Sequence, residues 1–124
     1  MDLSLEQPGD HLFIRSFGAE GIRIVDEWHQ PPLILAPDRL NVDWQAGAFE
    51  DLDEPALQAI LDFEPEIVLL SSGERQKFLP PELMMPFYRK GVGIEVMTHD
   101  AACRTFNVLA SESRKVVAAL LPIP

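Results

Sequence analysis

The chain has 124 residues, 47% of them hydrophobic, and sets ten Lys and Arg against twenty Asp and Glu for a formal net charge of -10. That length fits one domain with a single core and excludes two independent cores of ordinary size. The acidic balance opposes binding to a nucleic-acid backbone. A single cysteine, Cys103, excludes both an intrachain disulfide and a cysteine-only zinc site.

Charge is unevenly spread, with fifteen acids and three bases in residues 1–66 but five acids and seven bases in residues 67–124. A solvated face explains the acidic half, and a surface that meets a basic partner is the sharper alternative. The opening Met1-Asp2-Leu3-Ser4-Leu5-Glu6 lacks the basic leader of a signal peptide and the Arg-rich character of a mitochondrial presequence. The longest apolar run, Val116 to Leu121, is far below a membrane span. These features predict a cytoplasmic protein with no membrane insertion and no nucleic-acid partner.

Along the chain, residues 1–10 read as a flexible leader and residues 11–124 as one α/β domain. His11 to Phe17 predicts a strand, and Gly18-Ala19-Glu20-Gly21 turns it back into Ile22 to Val25 as a hairpin. Pro31-Pro32 precedes a short run, Leu33 to Ala36, and the first half reads as a small antiparallel unit. Val42 and Trp44, two apart, fit a strand edge. Asp53 predicts a cap for a helix from Glu54 to Leu61, with Pro55 in the first turn and Leu57, Ile60 and Leu61 as its buried stripe.

Ile67 to Leu70 is a continuous apolar run, the mark of a strand covered on both faces. A second helix is expected from Pro81 to Lys90 with Gly91 as its stop, although Pro86 strains it. Ile94 to Met97, Asp100 to Ala110 and Lys115 to Leu121 predict strand, helix and strand. Strands separated by helices imply crossovers onto a sheet. The expected fold is therefore a three-layer α/β domain with a mixed central sheet, helices packed on it and the antiparallel N-terminal unit.

The polar stretch Thr98 to Asn107 stands where a strand hands over to a helix, a common ligand position in α/β sheets. Within it, His99, Asp100, Cys103, Arg104, Thr105 and Asn107 are candidate pocket or interaction residues, joined by Ser71, Ser72 and Gly73 after the preceding buried strand. His99 and Cys103 are four apart, so a Cys-His nucleophile is conceivable, but no oxyanion donors or orienting third group are identifiable. The plainer reading makes Cys103 a small buried hydrophobe and Asp100 a helix cap. Arg104 is expected to reach the Ser71-Ser72-Gly73 loop rather than pair with Asp100 on the helix surface. Leu83, Met84, Met85 and Phe87 fit ordinary core better than an adaptable binding surface, and Trp28 fits a packed cover over a sheet edge. The sequence lacks a P-loop and a dinucleotide fingerprint, and neither a cofactor nor a metal is expected.

Gly91-Val92-Gly93-Ile94-Glu95-Val96-Met97, then Ala101-Ala102-Cys103-Arg104-Thr105-Phe106-Asn107-Val108-Leu109, then Arg114 to Leu121 resemble the signature of the domain of unknown function 498 family. Leu33 to Pro37 and Ile67 to Gly73 match as well, so the resemblance covers about residues 11 to 121. That family includes the mitochondrial complex I assembly factor 3 proteins. The resemblance implies a three-layer α/β domain and, for the mitochondrial branch, a role in assembling respiratory complex I through protein contacts. It supplies no catalytic residues. Phe106 stands where Tyr is frequent, and Ser113 stands where a Gly often precedes the last strand. The expected function is a non-enzymatic protein-binding or assembly module with a protein partner. The alternative is a small-molecule site or enzyme at the turn around Thr98 to Asn107.

Overall fold

A computed structural model describes residues 11–123, and the leader expected over residues 1–10 lies outside them. Among the described residues eight strands form: β1 (Ile14–Gly18), β2 (Gly21–Ile24), β3 (Glu27–His29), β4 (Leu33–Leu35), β5 (Leu40–Asn41), β6 (Ile67–Ser71), β7 (Gly93–Met97) and β8 (Val116–Leu120). Three α-helices accompany them: α1 (Glu54–Leu61), α2 (Pro81–Arg89) and α3 (His99–Ser111). A 3-10 turn, Phe49–Asp51, precedes α1.

The central sheet runs in the order β5-β4-β8-β6-β7, with β8, β6 and β7 parallel and β4 antiparallel to β8. Its inner strands are apolar at every position except Ser71, because both faces are covered. Val68 and Leu70, with Val117 and Ala119, face one core that also holds Leu57, Ile60 and Phe87. Leu69, Val116, Ala118 and Leu120 face the other, with Ala102, Cys103 and Phe106. Helices α1 and α2 thus cover one face. Helix α3 covers the other, and β1 to β3 contribute Ile14, Ile22 and Ile24 to the same core.

The first half departs from the expected antiparallel unit in two ways. The N-terminal sheet has three strands, because Glu27–His29 adds to the hairpin, and this leaves Trp28 exposed on its surface rather than packed as a cover. Leu33–Leu35 leaves that unit and joins the central sheet beside β8, since all three residues are fully buried there. The edge predicted at Val42 and Trp44 shrinks to Leu40–Asn41. Val42 is exposed, whereas Trp44 turns inward, where its Nε1 donates to the Ala56 carbonyl at 3.0 Å.

Helix ends follow local chemistry. The Asp53 carboxylate accepts from the Ala56 N–H at 3.0 Å, capping α1 with Pro55 in its first turn. Helix α2 closes with Gly91 at φ +70, its N–H bonded to the Tyr88 carbonyl and the Val92 N–H to the Phe87 carbonyl. Helix α3 closes the same way around Ser113 at φ +63, with Ser113 N–H on Ala110 and Arg114 N–H on Leu109. Both are Schellman endings, which favour glycine at the left-handed position.

Candidate functional site

Strands β6 and β7 are neighbours, yet the chain leaves β6 toward α2 on one face and leaves β7 toward α3 on the other. A doubly wound sheet opens a crevice at such a point, outside the carboxyl ends of the two strands. Ser71, Ser72 and Gly73 stand on one side of it and Thr98 and His99 on the other, so the fold brings these sequence-predicted residues together.

The strand ends at this crevice are bonded to one another, and Ser72 and Gly73 also line a cavity of about 200 Å³ with Glu74, Arg75 and Lys77. The Ser72 N–H donates to the Met97 carbonyl at 2.8 Å, and the His99 N–H donates to the Gly73 carbonyl at 2.8 Å. The Ser72 Oγ lies 2.6 Å from the Arg75 carbonyl and 3.2 Å from that of Met97. Gln76 Nε2 donates to the Val96 carbonyl at 2.8 Å. Ser71 is occupied on its other side, where its Oγ accepts from the Leu121 N–H at 2.8 Å. The Ser72 and His99 N–H groups and the Ser71 and Ser72 hydroxyls thus hold the strand ends to their neighbours.

Helix α3 begins at His99, one residue before the predicted start, and its cap position is Thr98 without a side-chain bond. Asp100 is therefore not the cap. It is exposed in the first turn, where a negative charge suits the helix dipole. The buried stripe of α3 is His99, Ala102, Cys103, Phe106 and Ala110, a spacing that turns Arg104 away from the core. Arg104 is exposed, and its guanidinium carbon lies 5.9 Å over the Phe17 ring. Among the described residues it makes no hydrogen bond to the Ser71-Ser72-Gly73 loop, contrary to expectation, and the Gly73 carbonyl is already taken by His99. Thr105 is half-buried beside it.

Cys103 and His99 do meet. Cys103 is fully buried, and its Sγ lies 3.9 Å from His99 Nε2. Burial pushes the thiol up to about 12, with Asp100 adding to the rise and Arg104 opposing it. Burial also lowers the His99 pKa, against a smaller upward pull from Asp100. A neutral thiol beside a neutral imidazole is the reverse of an activated thiolate pair. The Cys-His nucleophile therefore has no support in the geometry. The His99 ring packs edge-on to Phe17 with centroids 6.3 Å apart, and its buried Nδ1 has no partner among the described residues.

Asn107 has a role that its sequence position did not reveal. Its Nδ2 donates to the Ile14 carbonyl at 2.7 Å while its Oδ1 accepts from the Ile14 N–H at 2.8 Å. Sequence reasoning also passed over Glu66. It accepts from the Lys115 N–H at 3.1 Å and from Arg114 Nε at 3.2 Å, and the Lys115 bond is the main cause of its lowered pKa. A cleft of about 410 Å³ beside the site is lined by Gly18, Gly21, Gln30, Glu74 and His99. Another, of about 430 Å³, lies at the start of β8 beside Arg39, Phe63 and Ser113.

The whole is a three-layer α/β domain whose β6 and β7 ends are bonded to each other. Residues 14–121 match the family described as protein of unknown function (DUF498/DUF598), and the chain belongs to that family. It is 31% identical over 115 residues to the mouse NADH dehydrogenase [ubiquinone] 1 alpha subcomplex assembly factor 3, covering 91% of this chain and 62% of that protein. The chain thus spans about three-fifths of the length of such relatives. Its fold matches the crystal structure of a Bordetella parapertussis protein with a TM-score of 0.83 and 33% identity, covering 90% of this chain and 96% of that one. A Bartonella henselae protein described as an outer membrane protein matches with a TM-score of 0.77 and 27% identity, covering 92% and 97%. No helix among the described residues is long and apolar enough to cross a membrane.

Proposed function

We propose that this chain is a non-enzymatic protein-binding module that acts in assembly, the role named for its assembly factor 3 relatives. The observation that supports this reading is that the crevice spends much of its hydrogen-bonding capacity within the chain. At the place where this topology usually takes a ligand, the Ser72 and His99 N–H groups are bonded to Met97 and Gly73, and the one thiol nearby is buried and protonated. A cytoplasmic setting goes with this reading, since the free thiol is stable under reducing conditions. Cell fractionation checks that part. Tagged chain purified from its native cell and analysed for proteins and small molecules together tests the function. The reading expects a stoichiometric protein partner, and a metabolite held at one per chain with no protein partner overturns it.

A second reading rests on the orphaned His99 Nδ1. A buried unpaired ring nitrogen costs about 1–3 kcal/mol, and a small polar molecule in the cleft beside Glu74 and Gln30 would relieve that cost. The same purification separates the two readings, because a metabolite lost on His99→Phe supports this one.

A further inference from the structure

The cleft of about 410 Å³ beside the start of α3 has walls that include Ile22, Gln30, Pro31, Glu74, His99 and Ile123. Each polar side chain in that lining offers an acceptor. Gln30 Nε2 donates to the Glu20 carbonyl, so the amide oxygen is the group that remains. The Glu74 carboxylate is exposed and pairs with no cation among the described residues. His99 is 5% exposed, and its buried Nδ1 has no partner among the described residues. Its Nε2 lies 3.9 Å from the Cys103 Sγ, and a ring that carries its proton on that side keeps a lone pair at Nδ1.

Charge at the cleft has one sign. Among the described residues that line it there is no Lys or Arg. Arg104 is held over the Phe17 ring at 5.9 Å, and Arg75 lines the separate cavity of about 200 Å³. The Glu20 carboxylate adds a second negative charge, folded against Gly18 at the rim. A concave site of acceptors and carboxylates, on a chain of net charge -10, concentrates cations and repels anions. A primary ammonium fits such a site because it carries three donors and no acceptor. Ile22, Pro31 and Ile123 supply the apolar wall along which an alkyl stem lies while its charged head is held.

We infer that this cleft binds a primary alkylammonium group, its head met by the acceptors of Glu74, Gln30 and His99 and its stem lying on Ile22 and Pro31. The inference rests on the second reading above, that a polar molecule fills this cleft, and gives that molecule its chemistry. A free amine and the lysine side chain of a partner protein share that chemistry.

Titration of the full chain with n-butylamine at neutral pH, followed by amide and imidazole nitrogen NMR, reads the binding directly. Saturable shifts are expected at Gln30, Glu74 and His99, with a dissociation constant on the order of millimolar for so small a probe. n-Butanol, similar in shape but uncharged, should bind at least about tenfold more weakly, and Glu74→Gln should weaken the amine at least about fivefold. Glu74 is exposed, so circular dichroism should show an unchanged fold in that variant. In the free chain the His99 Nδ1 should give the signal of an unprotonated ring nitrogen and should move when the amine binds, which a merely structural histidine would not do. Nα-acetyl-lysine amide separates the sources: binding as tight as that of n-butylamine supports a partner's lysine, and binding of n-butylamine alone supports a free amine. n-Butanol bound as tightly as the amine, an amine indifferent to Glu74→Gln, or a ring proton found on Nδ1 overturns the inference and leaves the second reading standing. Probes that leave every resonance of the cleft unmoved overturn both.

Discussion

Asn107 and Ile14 are 93 residues apart, yet the Asn107 amide closes a two-bond ring with the Ile14 main chain at 2.7 and 2.8 Å. This clasp fixes the three-stranded N-terminal sheet to α3 just where β1 carries an irregular register between Ile14 and Ser16. Without it, two main-chain groups of a strand whose Ile14 side chain is 4% exposed would lose their partners. Asn107→Ala is expected to lower stability by about 2 kcal/mol in urea melts, the cost of two lost bonds and the polar groups they leave unpaired. Asn107→Asp should be worse at neutral pH, because a second carboxylate oxygen would face the Ile14 carbonyl, and should recover part of the loss once protonated. A neutral outcome for both variants removes the clasp from the account.

Arg104→Ala should change stability by less than about 0.5 kcal/mol, since an exposed cation over an aromatic ring contributes little. Urea melts of the wild type, Arg104→Ala and Arg104→Lys should share a midpoint. A loss near 2 kcal/mol would restore the loop tether that the sequence led us to expect.

His99 links stability to pH. Burial lowers its folded pKa below the ordinary value of 6.5, so the unfolded chain binds the proton more readily. The stability due to neutral His99 is complete above about pH 6.5 and declines as pH falls from there toward the folded pKa. Wild type should therefore lose stability relative to His99→Phe as pH falls from 7.5 to 5. Parallel curves would mean that the imidazole is not desolvated in solution.

Cys103 should resist iodoacetamide in the folded protein and react as an ordinary thiol only after unfolding, because a buried thiol with a pKa near 12 supplies almost no thiolate at neutral pH. Rapid folded-state labelling at pH 6 would contradict this.

Ser113 occupies a left-handed position, φ +63, in the ending of α3. Ser113→Gly should raise stability by up to about 1 kcal/mol, since glycine removes the Cβ strain that L-residues meet there. A melt in which glycine destabilises would show that the serine is held by something beyond its backbone.

Much of the fold was legible because periodicity reports burial. Leu69 and Leu70 point into opposite cores, so the run from Ile67 reads apolar throughout, and the Asp53-Glu54-Pro55 signature marked the start of α1. What stayed hidden depends on partners far away in sequence. Leu33–Leu35 looks the same whether it pairs within the N-terminal unit or with β8, and only the register Leu33↔Leu120 decides. The candidate site shows the same division. Strand and helix order places Ser71 to Gly73 near His99, but nothing local told that the Ser72 and His99 N–H groups were already spent on Met97 and Gly73. Arg104 failed for a geometric reason, because starting α3 at His99 sets the buried stripe and leaves Arg104 outside it.

Amide hydrogen exchange at Ser72 and His99 tests most directly whether the crevice between β6 and β7 is closed architecture rather than a ligand site. Bonded to Met97 and Gly73 at 2.8 Å each, the two amides should exchange only through near-global unfolding, with protection matching that of the β6 core. Fast local exchange at these two positions, with the rest of β6 protected, would mean that the crevice opens under native conditions and would contradict the account.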